Sequence, residues 1–158
     1  MKCIVCKNNK FVRSKYLVID KYPIYQCQTC GLTILKHLIY DPYWDQINEY
    51  VYTNQLVENG LKTKYEKYLK IIKENALNNR LLDVGSGTGL FVHTAGNHHF
   101  ETTGLEPSIN AVKVARKRYP DNKFIQNFPG PNCDLPQNFG TLTAWDVIGR
   151  TSNPEKFL

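Results

Sequence analysis

Two groups of residues in this chain are of a type and spacing that can do chemistry. Four cysteines stand as Cys3-x-x-Cys6 and Cys27-x-x-Cys30, with twenty residues between the pairs. This is the spacing of a four-thiolate zinc site, in which each pair grips the ion from one tight turn. Lys7-Asn8-Asn9 and Gly31 supply the turn residues beside the pairs. With four thiolates no coordination position stays open, so such a metal holds a fold together rather than catalysing. Redox pairs or disulfides are the other reading of the same cysteines; a reducing compartment and the paired geometry favour metal. The second group is Leu81-Leu82-Asp83-Val84-Gly85-Ser86-Gly87-Thr88-Gly89, an apolar strand that runs into a glycine-rich turn and then into the helical pattern opened by Leu90-Phe91-Val92. Alternate glycines let the backbone turn sharply with no side chain between it and a ligand, and the helix start offers unpaired N–H groups. The chemistry expected here is the binding of a nucleotide cofactor.

Glu101-Thr102-Thr103-Gly104-Leu105-Glu106 reads as a second strand that ends in an acid, about 20 residues beyond the first glycine, where a ribose-binding carboxylate belongs in such folds. Dinucleotide folds usually read G-x-G-x-x-G. Here Gly85-x-Gly87-x-Gly89 preceded by Asp83 resembles motif I of the class I S-adenosylmethionine-dependent methyltransferases. The resemblance implies S-adenosylmethionine as cofactor: Asp83 with Gly85, Gly87 and Gly89 on its methionine moiety, Glu106 on the ribose, and Asn127 with Phe128 on the adenine. With zinc on Cys3, Cys6, Cys27 and Cys30 ahead of it, the chain looks like the zinc-ribbon-bearing members of that class, which are often associated with sugar or small-metabolite methylation.

Composition bounds the remaining readings. At 158 residues and 42% hydrophobic content the chain allows one medium domain plus a small module. No apolar run approaches membrane-spanning length, and no apolar h-region follows Met1-Lys2-Cys3-Ile4-Val5-Cys6, so a cytoplasmic protein without a membrane partner is expected. The formal charge of +6 invites a nucleic-acid reading, but no block of five like charges occurs. Zinc on four thiolates would lower the charge to about +4. The alternative function is a zinc-ribbon module that binds nucleic acid or protein and carries a vestigial cofactor fold, with Lys2, Lys7, Lys10, Arg13 and Lys15 as its basic face; a merely solvated face is the plainer reading.

The elements that must position these residues follow in order. Val18-Ile19 and Pro23-Ile24-Tyr25 suggest short ribbon strands. Tyr40-Asp41-Pro42-Tyr43-Trp44-Asp45 and Tyr50-Val51-Tyr52 form a connector apolar enough to pack. Leu61, Tyr65, Tyr68, Leu69, Ile72 and Ala76 predict an amphipathic helix with lysines around its other side. Pro107-Ser108 opens a second helix, with Ile109, Val112, Val114, Ala115 and Tyr119 inward and Pro120 closing it. Lys123-Phe124-Ile125-Gln126 reads as a third strand and Leu142 to Ile148 as a buried fourth. The expected architecture is α/β: a zinc ribbon over 1–38, an aromatic connector over 39–60, and over 61–158 a partial Rossmann-like methyltransferase sheet, strands 1–4 of 7. Asp83, Glu106, Asn127 and Asp146 fall at or near the carboxyl ends of strands, where ligands bind in such sheets.

Some positions depart from the family pattern. Gly140 follows Phe139 where relatives commonly carry an aspartate, and Gly149-Arg150 stands where an acid-histidine pair is frequent, so no general base is assigned. Cys133 reads as a structural thiol and His98-His99 as an exposed turn. The resemblance implies a seven-stranded sheet in order 3-2-1-4-5-7-6, so the chain reads as a fragment. Its fourth strand would then be an open edge inviting self-association, and methyl transfer to a small-molecule acceptor would be impaired.

Overall fold

The computed structural model describes residues 2–19, 22–35, 54–130, 133–136 and 138–150. The chain divides into two compact units, Met1–Tyr40 with Gly149–Leu158, and Asp41–Ile148. The aromatic connector around Tyr43, Trp44 and Tyr50 lies outside the described residues.

The first unit is a three-stranded antiparallel sheet in the order β1-β2-β3, with β1 Phe11–Ile19, β2 Tyr22–Cys27 and β3 Thr33–Leu35. β1 pairs with β2 from Phe11↔Cys27 to Ile19↔Tyr22, with an irregularity between Arg13 and Val18. The sequence foreshadows only the far end of β1 and the middle of β2. β3 was not expected: three residues after Gly31 are too few to show a strand alternation, and its pairing Tyr25↔Ile34 is fixed by the turn. That turn is tight. Gly31, at φ +76, donates its N–H to the Cys27 carbonyl, and Cys27 N–H donates to Leu32 O. Across the unit, Lys7 at φ +59 donates to Cys3 O in the same manner. Each Cys-x-x-Cys pair therefore sits on its own knuckle.

The second unit is a parallel four-stranded sheet with helices, confirming the partial Rossmann-like class. Its strands are β4 Arg80–Val84, β5 Glu101–Glu106, β6 Lys123–Gln126 and β7 Thr141–Thr143, in the order β6-β5-β4-β7. This matches the first four positions of the expected order. β4 is central and its Leu81, Leu82 and Asp83 are all buried. The helices are α1 Gln55–Asn75, α2 Leu90–Asn97 and α3 Ile109–Arg118. Leu90 and Val92 of α2 pack with Val112 and Ala115 of α3, Tyr119 and Phe124, with Leu61 and Tyr65 of α1 alongside. A second cluster joins Leu69 of α1 to Leu81, Phe91, Ala95 and Phe100. Sharing these clusters places the three helices on one face of the sheet.

Two elements differ from expectation. α1 starts at Gln55, six residues before Leu61, because the Asn54 side chain accepts from Leu56 and Val57 N–H and caps a turn whose Leu56 is exposed. The fourth strand is Thr141–Thr143 rather than Leu142 to Ile148, and it is not buried: Leu142 is 69% exposed. The strand stops because Asp146 takes φ +56 and Trp145 turns back to stack near Tyr65, Tyr68 and Phe91 at centroid distances of 5.0–5.4 Å. Of this run Trp145 packs on the helices and Val147 lies against Gly85, while Leu142 and Ile148 are exposed.

Candidate functional site

In the first unit the four thiol sulfurs of Cys3, Cys6, Cys27 and Cys30 all lie within 4.8 Å of one another. Cys3 Sγ is 3.5 Å from Cys30 Sγ, and Cys6 Sγ is 3.5 Å from Cys27 Sγ. None of the five cysteines is in a disulfide. A zinc ion with 2.3 Å bonds to four sulfurs spaces them at about 3.8 Å, so the quartet fits such an ion with small adjustments. Its charge balance points the same way. The Cys6 backbone N–H lowers the Cys3 thiol, and the Cys30 backbone N–H brings Cys27 down to about 6. Cys6 has help from the Asn8 N–H, yet burial and its three sulfur neighbours push it up to about 12. Four thiolates this close cannot all ionise without a cation among them. Cys133 is not part of this cluster.

In the second unit β4 delivers Asp83 and then the loop. Asp83 is 2% exposed, and its Oδ1 accepts a 2.8 Å hydrogen bond from Thr143 Oγ1 on β7. Burial raises its carboxyl to about 7; the Thr143 bond opposes the rise and the nearby Glu106 charge adds to it. Gly85, Gly87 and Gly89 follow, all at positive φ, between +54 and +84. Gly85 and Ser86 N–H donate to Leu105 O at 2.7 and 3.1 Å, pinning the turn to the end of β5. Gly87 N–H donates to Glu106 Oε2 at 2.9 Å, and Ser108 N–H donates to Glu106 Oε1 at 2.9 Å. The acid at the end of β5 and the middle of the glycine loop therefore touch, and each oxygen of Glu106 still has a lone pair for another donor.

Two of the glycines also serve packing. A Cβ at Gly89 would lie 2.5 Å from Phe124 Cζ and 3.2 Å from Ala115 Cβ, and one at Gly85 would collide with Val147. The small residue that opens α2 is needed to seat that helix on β6, apart from any ligand. Ser86 Oγ and Thr88 Oγ1 are buried and have no hydrogen-bond partner among the described residues. Such orphaned hydroxyls beside a carboxylate with spare lone pairs fit a polar ligand at this turn.

Asn127 follows β6, and its N–H donates to Glu106 O at 3.2 Å, which brings this position beside the acid. Its side chain accepts from Phe128 N–H at 2.8 Å, and both residues are exposed. Asp146, expected near a strand end, lies three residues beyond β7 and is exposed. His99 is exposed, as expected, and His98 is half-buried. Sequence reasoning missed Thr143, Ser86 and Thr88 as parts of the site. A hydroxyl at the carboxyl end of the strand beside Asp83 could have been found by aligning strand ends, had β7 been read as three residues.

A family model described as "Methyltransferase domain" matches residues 55–158. The chain belongs to this methyltransferase domain family. The match begins at the first residue of α1, so that helix is part of the methyltransferase domain. The plantazolicin methyltransferase BpumL in complex with SAH is similar at 17% identity with a TM-score of 0.59, covering 75% of this chain and 49% of that one. BpumL with a pentazolic desmethylPZN analog and SAH gives a TM-score of 0.57 at 17% identity, with the same coverage of 75% and 49%. Streptomyces venezuelae DesVI is 22% identical with a TM-score of 0.47, over 56% of this chain and 41% of that one. The BpumL likeness shows a shared fold. This chain spans less than half the length of these structures. No curated protein sequence matches it. No helix among the described residues is long and apolar enough to cross a membrane.

Proposed function

We propose that this protein transfers a methyl group from S-adenosylmethionine to a small-molecule acceptor, with sugars the first class to test. In this reading residues 1–38 are a structural zinc ribbon, the aromatic connector expected over 39–60 gives way to α1 at Gln55, and the cofactor-binding part runs from that helix onward. One observation carries it: the glycine loop after β4 donates a backbone hydrogen bond to the Glu106 carboxylate at the carboxyl edge of a parallel sheet. The family match supports the reaction, and BpumL, named as a complex with SAH, supports the cofactor.

Bound S-adenosylmethionine would supply a methyl group already attached to its own leaving group, a sulfonium, so no enzyme nucleophile is required. What the chain contributes is binding and orientation. Gly85, Gly87 and Gly89 with Asp83 hold the methionine moiety. Thr143 keeps Asp83 in place by its 2.8 Å bond. Glu106, held between Gly87 and Ser108 N–H, accepts from the ribose hydroxyls with its remaining lone pairs. Asn127 and Phe128 take the edge and face of the adenine.

Calorimetry with S-adenosylmethionine tests the assignment. Glu106→Ala removes one or two charge-assisted hydrogen bonds of about 1.5–3 kcal/mol each, so the dissociation constant should rise roughly tenfold to a few hundredfold. Glu106→Gln, which keeps one acceptor oxygen, should fall between the two. Equal affinities for all three proteins would take the acid off the ribose. Release of S-adenosylhomocysteine against a panel of sugars and small metabolites then identifies the acceptor.

A further inference from the structure

The basic excess of this chain is not spread evenly. Residues 1–40 hold seven of the 20 lysines and arginines and one of the 14 acids, while residues 41–158 hold thirteen of each. The formal +6 of the protein is therefore the charge of its first forty residues, and it stays at about +4 with a zinc ion on four thiolates. Against an electrically balanced remainder, such concentration in a small metal-knuckle unit marks a surface for an anionic partner.

Geometry narrows the surface. Lys2, Lys7, Asn8, Asn9 and Lys10 line one concavity of about 490 Å³ on the first knuckle. All three lysines are exposed, and Lys7 Nζ is steadied by a 3.0 Å bond to Ile4 O. Arg13 is exposed a few residues on, along β1. The exposed neutral side chains of this unit include Asn9, Gln26, Gln28, Thr29 and Thr33, and no acidic side chain is described within it. Lysine, arginine, asparagine, glutamine and threonine are the side chains that contact phosphate and sugar. An acidic protein partner would call for aromatic anchors in a desolvated centre. Among the described residues of this unit the exposed large apolar groups are the aliphatic Ile4, Val5 and Val12.

We propose that the first cysteine knuckle, through Lys2, Lys7 and Lys10, binds the phosphate backbone of nucleic acid without sequence preference. This does not depend on the methyl-transfer reading, since none of the residues involved belongs to the glycine-loop site.

The test is fluorescence anisotropy of the full chain, zinc-loaded, with a labelled 20-base-pair duplex across a salt series. Three phosphate contacts predict a slope of about −2.7 in log K against log salt, or about 40-fold weaker binding at 200 mM than at 50 mM. The Lys2→Gln/Lys7→Gln/Lys10→Gln variant should lose that slope. The corresponding lysine-to-arginine variant should keep it, and so should Lys62→Gln/Lys67→Gln/Lys70→Gln, which removes the same charge from the exposed side of α1. Equal loss in the two glutamine variants would make the effect one of net charge and overturn the proposal, as would binding that is absent or indifferent to salt. Polyglutamate of matched charge competing as well as the duplex would overturn it in favour of an acidic polypeptide.

Discussion

The two units hold themselves together by different means. Among the described residues of the first unit, the buried apolar set is Cys3, Ile24 and Cys27, so two of its three core positions are proposed metal ligands. The second unit buries two contiguous apolar clusters, from Leu61 to Phe124 and from Tyr65 to Trp145. Among the described residues of this unit Ile24 is the one buried apolar side chain besides the cysteines, so the proposed four-thiolate site would supply much of what holds this sheet. The parallel sheet is written in many apolar contacts, none of them indispensable alone. Damage should therefore be all-or-none in the first and graded in the second.

The largest expected effect follows from this contrast. Cys27→Ser should reduce bound zinc from one per chain to none and abolish hydrogen-exchange protection over Phe11–Ile19 and Tyr22–Cys27, while Arg80–Val84 stays protected. Acidification of the unaltered protein should release zinc in the same way, because protons compete for the thiolates. Protection of β1 and β2 that survives chelation would show that the ribbon folds without metal and would erase the distinction.

Next in size is a pH effect confined to the second unit. Asp83 is raised in the folded state to about 7 from an unfolded value of 3.8. Between these limits the folded form holds a proton that the unfolded form has lost, so stability falls as pH rises from about 4 to about 7. The full span corresponds to about 4 kcal/mol. Asp83→Asn, which is neutral at every pH, should flatten that part of the profile in chemical denaturation of the ligand-free protein. An unchanged slope would locate the titration elsewhere.

The smallest is Asn54→Ala. Loss of the α1 cap should cost the second unit about 1 kcal/mol, read as a shift in its denaturation midpoint with zinc content unchanged. A change in zinc content would mean that the two units do not respond separately.

Legibility from sequence divides along similar lines. The cysteine pairs, the glycine turn, β5, β6 and α3 were readable because side-chain type or a two-residue or helical period sets them locally. Ser108, expected at the start of α3, accepts from Ala111 N–H as a cap should. What the sequence hid was set from a distance. β7 pairs with β4 only at Leu81, Leu82 and Asp83 before the chain turns at Asp146, and an apolar run from Leu142 to Ile148 cannot say whether a sheet or a helix will receive it. The start of α1 lay before its apolar stripe, at a cap without periodicity. Thr143 entered the site only through its pairing with Asp83, sixty residues away.

That last separation bears on the order of folding. β4, α2, β5, α3 and β6 join neighbours in sequence, whereas β7 must close a sixty-residue loop to reach β4. Closure on that scale costs entropy before any contact rewards it, so this strand should dock late. With three paired residues and an exposed Leu142, it should also be among the first parts of the sheet to open. Each opening admits water to Asp83 and removes its hydroxyl partner. The buried carboxyl that precedes the glycine turn is thus sealed by a strand held through three paired residues, so its ionisation and the detachment of that strand should be coupled.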